Sequence, residues 1–293
     1  MSEAFRIHES GGVVSGPVRE PRNSAINAGA GSIHDDATAQ KLGFRGGTVA
    51  GSLHMEQFPP LLAEVLGDEW LQTGSQSLYF KYATTDGEPV QAFAERPTSA
   101  SGSRQVRIWM DNPAGERICE GTASVGEPDM ASAVRQRIAS TPEPEDLRIL
   151  AKVEIGKPGP LVPTRISQDV LDGRLAVITE PLAAYSDASI YGEKVITPAL
   201  QVRIMRPGEA ALLPRDGNYG VGLFGAIELQ ALAGPVFVEH DYLTSATVLA
   251  VGSTPKTEYY YYESTLVDAA TDTEVMKMLM MIRFMKASSK LYQ

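Results

Sequence analysis

The chain has 293 residues, 43% of them hydrophobic, which suits one large domain or two of ordinary size around a well-buried core. Its formal net charge of -10 excludes the basic surface of a nucleic-acid-binding or polybasic membrane-binding protein. A single cysteine, Cys119, excludes an intramolecular disulfide framework and a cysteine-rich metal site, and we expect it to be a buried strand thiol.

The N-terminal residues MSEAFRIHESGGVVSG carry acidic side chains and lack an apolar core of signal-peptide length. No stretch of the chain approaches the roughly 18 apolar residues that a membrane-spanning helix needs. We therefore expect a cytoplasmic protein that binds neither nucleic acid nor membrane.

The sequence of the first half predicts a helix followed by an antiparallel meander. Residues 51–70, GSLHMEQFPPLLAEVLGDEW, have mostly helical apolar spacing, which predicts a buried helix that Pro59 and Pro60 bend. Three strand-like runs follow, SLYFKYA, EPVQAFAERP and SRQVRIWMDNPAGERICEGTASV, and the turn signal DNPAGE divides the last of them.

The second half repeats this outline after a Pro- and Glu-rich connector, which we expect to be exposed. YGEKVITPALQVRIM parallels FRGGTVAGSLHMEQF, with Pro198 where Gly51 stands, and TEYYYYESTLVDAATDTEVMKMLMMIRFM predicts two long strands across a turn. The run Tyr259–Tyr262 should alternate between the two faces of its strand. We predict an N-terminal unit at 1–128, a linker at 129–149 and a C-terminal unit at 150–293.

Residues 32–51, SIHDDATAQKLGFRGGTVAG, resemble the signature of the MaoC-like (R)-specific enoyl-CoA hydratases and dehydratases. Ile33, His34 and Asp36 match its Ile-His-x-Asp part, and Gly51 matches the glycine that heads the central helix. The duplicated layout is also similar to the double hot-dog proteins of this family. The resemblance implies an α+β fold of two fused hot-dog units, each an antiparallel sheet wrapped round a central helix.

The signature departs from the family at three positions. Gly29 stands where the family has its catalytic aspartate, Gly31 stands at the asparagine position, and Ser32 replaces the proline. Hydration of a double bond conjugated to a thioester needs groups for water and for the α-carbon proton, and donors for the enolate oxygen. Either another carboxylate assists His34, or His34 works alone, or the chain hydrates nothing.

Candidate carboxylates are Asp35 or Asp36, directly after His34, and Asp187, which could face the first site across a pseudo-dyad. Helix capping is the simpler explanation of these aspartates, because it requires no chemistry. Gly51 is the candidate oxyanion donor, because unpaired N–H groups at a helix start need no side chain for this role. The candidate substrate-binding residues around these groups are Asn27, Ser32, Arg45, Gly47 and His54.

These residues leave three functions open. The first is a hydro-lyase on an acyl thioester or related carbonyl compound, the second a hot-dog thioesterase or biosynthetic dehydratase/cyclase, and the third a non-catalytic acyl-binding module. We expect no cofactor and no metal, because metal-ligand, nucleotide-loop and serine-hydrolase motifs are all missing. The expected partner is a small-molecule substrate, linked to CoA or a carrier, with Lys41, Arg45, Lys194 and Arg203 as cations for it. A fused pair can act alone or pair further into a homodimer.

Overall fold

A computed structural model describes residues 5–24, 31–99, 101–144, 146–214 and 217–293. The strands of these residues are β1 His8–Ser10, β2 Val13–Arg19, β3 Ser75–Phe80, β4 Val90–Glu95, β5 Arg104–Asp111, β6 Arg117–Val125, β7 Val162–Thr164, β8 Gly222–Ala231, β9 Tyr242–Ser253, β10 Thr257–Asp268 and β11 Glu274–Met285. The α-helices are α1 Asp36–Lys41, α2 Gly51–Met55, α3 Pro59–Leu66, α4 Trp70–Thr73, α5 Ala133–Ala139, α6 Gln168–Leu175 and α7 Pro198–Met205.

The strands form one antiparallel sheet in the order β1-β2-β4-β5-β6-β3-β8-β11-β10-β9-β7. Strands of the first half occupy one side of this order and strands of the second half the other. The two sides meet where β3 pairs with β8, in a register that places Ser75 opposite Gln230 and Tyr79 opposite Ala226. The two predicted sheets are therefore one continuous sheet.

The predicted bend in the first central helix is confirmed as a break between α2 and α3. Pro59 and Pro60 occupy the first turn of α3, where their missing N–H groups remove no helical hydrogen bond. The DNPAGE turn between β5 and β6 also forms, because Asn112 Oδ1 accepts from the backbone N–H groups of Ala114 and Glu116.

The core lies between the sheet and the central helices of the two halves. Helix α3 packs on β2, β4 and β6, α7 packs on β8, β9 and β10, and α2 contacts α7 directly. The tyrosine run alternates as predicted, with Tyr260 and Tyr262 in the main core and Tyr259 and Tyr261 in a smaller cluster. Cys119 is buried in β6, and this burial raises the pKa of its thiol.

The connector between the halves is partly packed against the sheet. Ser132 caps α5, and the side chains of Ser132 and Val134 are fully buried. Ser132 donates to Glu228, a buried carboxylate of β8 that also accepts from Ser77 at 2.8 Å. Helix α5 is therefore attached to the seam where β3 and β8 join.

Within the described ranges, no helix combines the length and the apolar character that crossing a membrane would require.

Candidate active site

A cavity of about 670 Å³ opens between the two halves of the chain. The first half contributes the turns around α1, the start of α2 and the end of β3. The second half contributes β8, the β9–β10 turn and the end of β11. The residues used below that line it are His34, Gly51, His54, Tyr79, Phe80, Lys81, Tyr82, Lys256 and Arg283.

His34 lies on the cavity wall in the turn before α1. Its Nδ1 is 2.6 Å from the carbonyl oxygen of Thr48. A carbonyl only accepts, so this contact assigns the ring proton to Nδ1 and leaves Nε2 as an acceptor. Among the described residues Nε2 has no partner, and His34 therefore presents a proton acceptor to the cavity.

The backbone of His34 is fixed from two sides. Its carbonyl oxygen accepts from Asn23 Nδ2 at 2.9 Å, and its N–H donates to Ser32 Oγ at 3.2 Å. Gly47 packs against the same carbonyl, and a Cβ at that position would lie 2.1 Å from the oxygen. Ser32 and Gly47 do not line the cavity. They hold His34 in place instead of meeting a ligand.

The two aspartates after His34 bind the backbone. Asp35 is the N-cap of α1, and its Oδ1 accepts from the Thr38 N–H at 2.9 Å. Asp36 Oδ1 accepts from the Gly47 N–H at 2.7 Å and closes the glycine-rich turn. Neither aspartate lines the cavity, so the structure does not bring the predicted Asp36 carboxylate to the reacting atoms.

Helix α2 begins at Gly51 with its backbone donors free. Its N-cap is Ala50, which has no side-chain acceptor to offer. In the described part of the chain, no acceptor takes the N–H of Gly51 or of Ser52. The Phe80 ring lies against Gly51, and a Cβ there would be 2.6 Å from the ring. The absence of a side chain at Gly51 therefore allows Phe80 to pack closely and leaves the Gly51 N–H accessible.

His54 is buried on α2 and its ring also borders the cavity. Its Nε2 is 2.7 Å from Thr84 Oγ1, while Nδ1 has no partner among the described residues. Burial lowers the pKa of His54 to about 4, so the ring is neutral near pH 7. His54, a predicted substrate-binding residue, and His34 thus both border the cavity.

The remaining predicted site residues lie elsewhere. Asp187 is exposed and accepts from the Ser189 N–H at 2.9 Å, and hydrogen bonds from Ser189 lower the pKa of its carboxyl. Arg45 is exposed, ion-paired with Glu88 at 2.6 Å and positioned over the Tyr82 ring, without lining the cavity. The expectations that Asp187 faces the first site and that Arg45 lines its mouth are corrected. Asn27, like Gly29, lies outside the described residues.

The cations of the cavity differ from the predicted ones. Lys81, Lys256 and Arg283 line it, whereas Lys41, Lys194 and Arg203 do not. The described lining contains no aspartate or glutamate. No local motif marks these three cations, because the pairing of β3 with β8 and the β9–β10 turn bring them to the cavity.

Comparisons with known proteins give matches in structure only. No protein-family model and no curated protein matches the sequence. A solved structure assigned as a MaoC domain protein dehydratase from Chloroflexus aurantiacus superposes with a TM-score of 0.63 at 10% identity, over 97% of this chain and 95% of that one.

Two further solved structures cover nearly the whole chain. A conserved Mycobacterium tuberculosis protein described as a double hotdog fold has a TM-score of 0.59 at 11% identity, over 96% of this chain and 97% of that one. A MaoC-like dehydratase has a TM-score of 0.56 at 14% identity, over the same shares of the two chains. The predicted fold class is confirmed: the chain has the double hot-dog fold and resembles MaoC-like dehydratases in structure.

Proposed function

We propose that the cavity binds an acyl thioester and adds or removes water across its α,β bond, with His34 as the single acid–base group. The observation that carries this proposal is the Nδ1 contact of His34 with the Thr48 carbonyl at 2.6 Å. It fixes one tautomer and leaves Nε2 without a partner among the described residues, and Gly51 lines the same cavity. A base and an oxyanion donor are the minimum that this chemistry needs.

In the direction of dehydration, His34 acts first as a base and then as an acid. His34 Nε2 removes the proton from the α carbon of a β-hydroxyacyl thioester, and the electron pair moves to the thioester oxygen. The Gly51 N–H donates to the enolate oxygen. The imidazolium then transfers the same proton to the β-hydroxyl, which leaves as water while the α,β double bond forms. One base on one face predicts syn elimination, and hydration is the reverse sequence.

The lack of a carboxylate in the described cavity lining helps to choose between the remaining functions. A hot-dog thioesterase that uses Asp36 or Asp187 is disfavoured, because neither residue lines the cavity. A biosynthetic dehydratase with the same one-histidine chemistry remains within the proposal. The second candidate is a non-catalytic acyl-binding module, which the absence of any acidic residue from the described lining favours.

The test is His34→Ala in an enoyl-CoA hydration assay. We expect turnover to fall about 100-fold or more, because positioned acid–base groups contribute roughly 10²–10⁴ in rate. His8→Ala is the matched control, since His8 is an exposed histidine of β1 that does not line the cavity. Circular dichroism and a melting curve check that both variants fold.

Each outcome assigns a different function. Unchanged turnover in folded His34→Ala rules out His34 as the base. Tight binding of a thioester analogue by the wild-type chain, with no hydration across a panel of enoyl thioesters, supports the binding module instead.

A further inference from the structure

His54 is a buried polar side chain beside a group of apolar residues in the cavity lining. It lies on α2, three residues after Gly51, and it borders the cavity although it is only 2% exposed. Ligand cavities are typically apolar with a few placed polar groups, and those polar groups set the specificity. The apolar residues that line this cavity include Leu42, Phe44, Val49, Phe80, Leu223 and Phe224.

One nitrogen of the His54 ring has no partner. Its Nε2 is 2.7 Å from the hydroxyl oxygen of the fully buried Thr84. Its Nδ1 is also buried, and no hydrogen-bond partner for it exists among the described residues. A buried polar atom without a partner costs free energy, and a ligand group that bonds to it removes that cost. His54 therefore has one nitrogen left for a ligand.

The position of the His54 ring is set by the helix and by Thr84. Side chains of an α-helix lean towards its N-terminus, so the ring lies over the turn that begins at Gly51. Thr84 is held at the same place, because its carbonyl oxygen accepts from the Val49 N–H at 2.9 Å. The ring is therefore fixed close to the position proposed for the thioester oxygen.

The His54 ring suits a neutral ligand group better than a carboxylate. Burial lowers the pKa of His54 to about 4, so the ring carries no charge near pH 7. The Thr84 hydroxyl can donate or accept, so its contact with Nε2 allows either nitrogen to carry the ring proton. A ligand hydroxyl group fits both cases, because it can also donate and accept.

We propose that His54 Nδ1 binds a hydroxyl group of the acyl chain, beyond the α and β carbons. This inference rests on the proposed function, because it names the acyl group of the same thioester. In that reaction His34 contacts the α-proton and the β-oxygen, and Gly51 contacts the thioester oxygen. The hydroxyl that His54 binds therefore belongs to the part of the chain that does not react. The substrate class is a hydroxylated acyl thioester whose hydrocarbon part contacts the apolar lining.

The experiment uses substrates that differ by one oxygen atom. Hydration of trans-hexenoyl-CoA by the wild type is compared with hydration of derivatives that carry a hydroxyl group on the fourth, fifth or sixth carbon. We expect kcat/KM to be about 10–100-fold higher for at least one hydroxylated substrate, because that is the effect of pairing one buried polar group.

Two substitutions of His54 separate its two nitrogens. The glutamine amide reaches the position of Nε2 and the asparagine amide that of Nδ1, because each lies the same number of bonds from the backbone as that nitrogen. We expect His54→Gln to lose the preference for the hydroxylated substrate and His54→Asn to keep part of it. His8→Gln is the control, since His8 is exposed on β1 and does not line the cavity, and it should keep the full preference.

Three outcomes would overturn the hydroxyl site. The first is equal kcat/KM of the wild type for hexenoyl-CoA and all of its hydroxylated derivatives. The second is the wild-type preference in folded His54→Gln, a variant that keeps a partner for the Thr84 hydroxyl and is informative even if His54→Asn does not fold. The third is an equal loss of turnover on every substrate in His54→Gln, because His54 would then act at the reacting carbons. His34-dependent hydration would still stand in each case.

Calorimetric titration separates this inference from the proposed function. The ligands are saturated hexanoyl-CoA and its hydroxylated derivatives, which cannot be hydrated. If no enoyl thioester is hydrated but a hydroxylated ligand binds the wild type about tenfold more tightly than hexanoyl-CoA, and His54→Gln abolishes the difference, the hydroxyl site stands and the hydro-lyase fails.

Discussion

His34 and His54 border the same cavity, yet their surroundings differ. His34 is half-buried and its Nδ1 bonds a carbonyl, whereas His54 is 2% exposed and bonds the Thr84 hydroxyl. A half-buried imidazole with a free nitrogen can exchange protons with a ligand. A fully buried imidazole resists protonation, because the charged form loses its hydration.

The depressed pKa of His54 makes folding stability depend on pH. The folded pKa is about 4 and the ordinary value is 6.5, so below pH 6.5 the unfolded chain takes up the proton first. The stabilising contribution is therefore complete above pH 6.5 and is lost as the pH falls towards 4. Between pH 7 and pH 5 the loss is about 2 kcal/mol.

We predict that His54→Gln removes this part of the acid sensitivity. The wild type and the variant are compared by urea unfolding at pH 7 and at pH 5. The variant is less stable at pH 7, because it alters a buried contact with Thr84, but the gap between the two proteins should narrow by about 2 kcal/mol at pH 5. A gap of constant size would show that His54 titrates normally.

At the scale of single elements, the start of α2 is where the proposed enolate oxygen is held. The Ala50 backbone lies at φ -64° and ψ 140°, a conformation that a following proline tolerates. Proline is also accepted in the first turn of a helix, and Pro198 occupies the first residue of α7. The Gly51 N–H can therefore be removed without breaking the helix.

We predict that Gly51→Pro lowers kcat about 100-fold below Gly51→Ala, because losing one oxyanion donor costs roughly 10²–10³ in rate. Both variants place a Cβ close to Phe80, so both carry the packing cost of that contact, about 1–3 kcal/mol. Only the proline variant loses the N–H group. Equal rates for the two variants would remove the Gly51 N–H from the mechanism.

Some elements could be predicted from sequence because their signals are local. The histidine motif, the two prolines of α3 and the alternating tyrosines each depend on neighbours within a few residues. The packing of α5 could not be predicted in this way. Its connector composition suggested exposure, but its cap Ser132 bonds Glu228, which lies almost a hundred residues further along the chain.

The same limit applies to the cavity. His34 was identifiable from its motif, whereas Tyr79 and Arg283 come together only through the joining of two sheets. A shift of one residue in that register would turn Tyr79 to the other face. Sequence alone therefore located His34 but not the cations that line the cavity.

At the scale of the whole molecule, the two halves repeat the same hydrogen bonds around unlike side chains. Thr48 N–H donates to the Ile33 carbonyl, and Val195 N–H donates to the Ala184 carbonyl. The residues after these acceptors, His34 and Tyr185, thus occupy equivalent positions. A phenol replaces the imidazole in the second half. Likewise Pro198, which has no N–H, occupies the position of Gly51.

In the second half, side chains also fill the space near the start of α7, which is the position equivalent to Gly51. Glu56, 1% exposed, pairs with Arg174 at 2.7 Å. Burial raises the pKa of Glu56, while Arg174, the Thr197 hydroxyl and the Ala199 N–H act in the opposite direction. An internal carboxylate therefore lies near the start of α7, where a ligand oxygen would bind in the first half. The Glu56–Arg174 pair therefore supports the fold, and it fills the place where the second half would otherwise bind a ligand oxygen.

We therefore predict one thioester site per chain. Calorimetric titration of the wild type with CoA should give one ligand per chain. Tyr185→Phe keeps the shape of the ring and should hydrate enoyl thioesters within about twofold of the wild type, because the phenol takes no part in acid–base transfer. Two ligands per chain, or a loss of turnover in folded Tyr185→Phe comparable to that of His34→Ala, would show that the second half carries chemistry of its own.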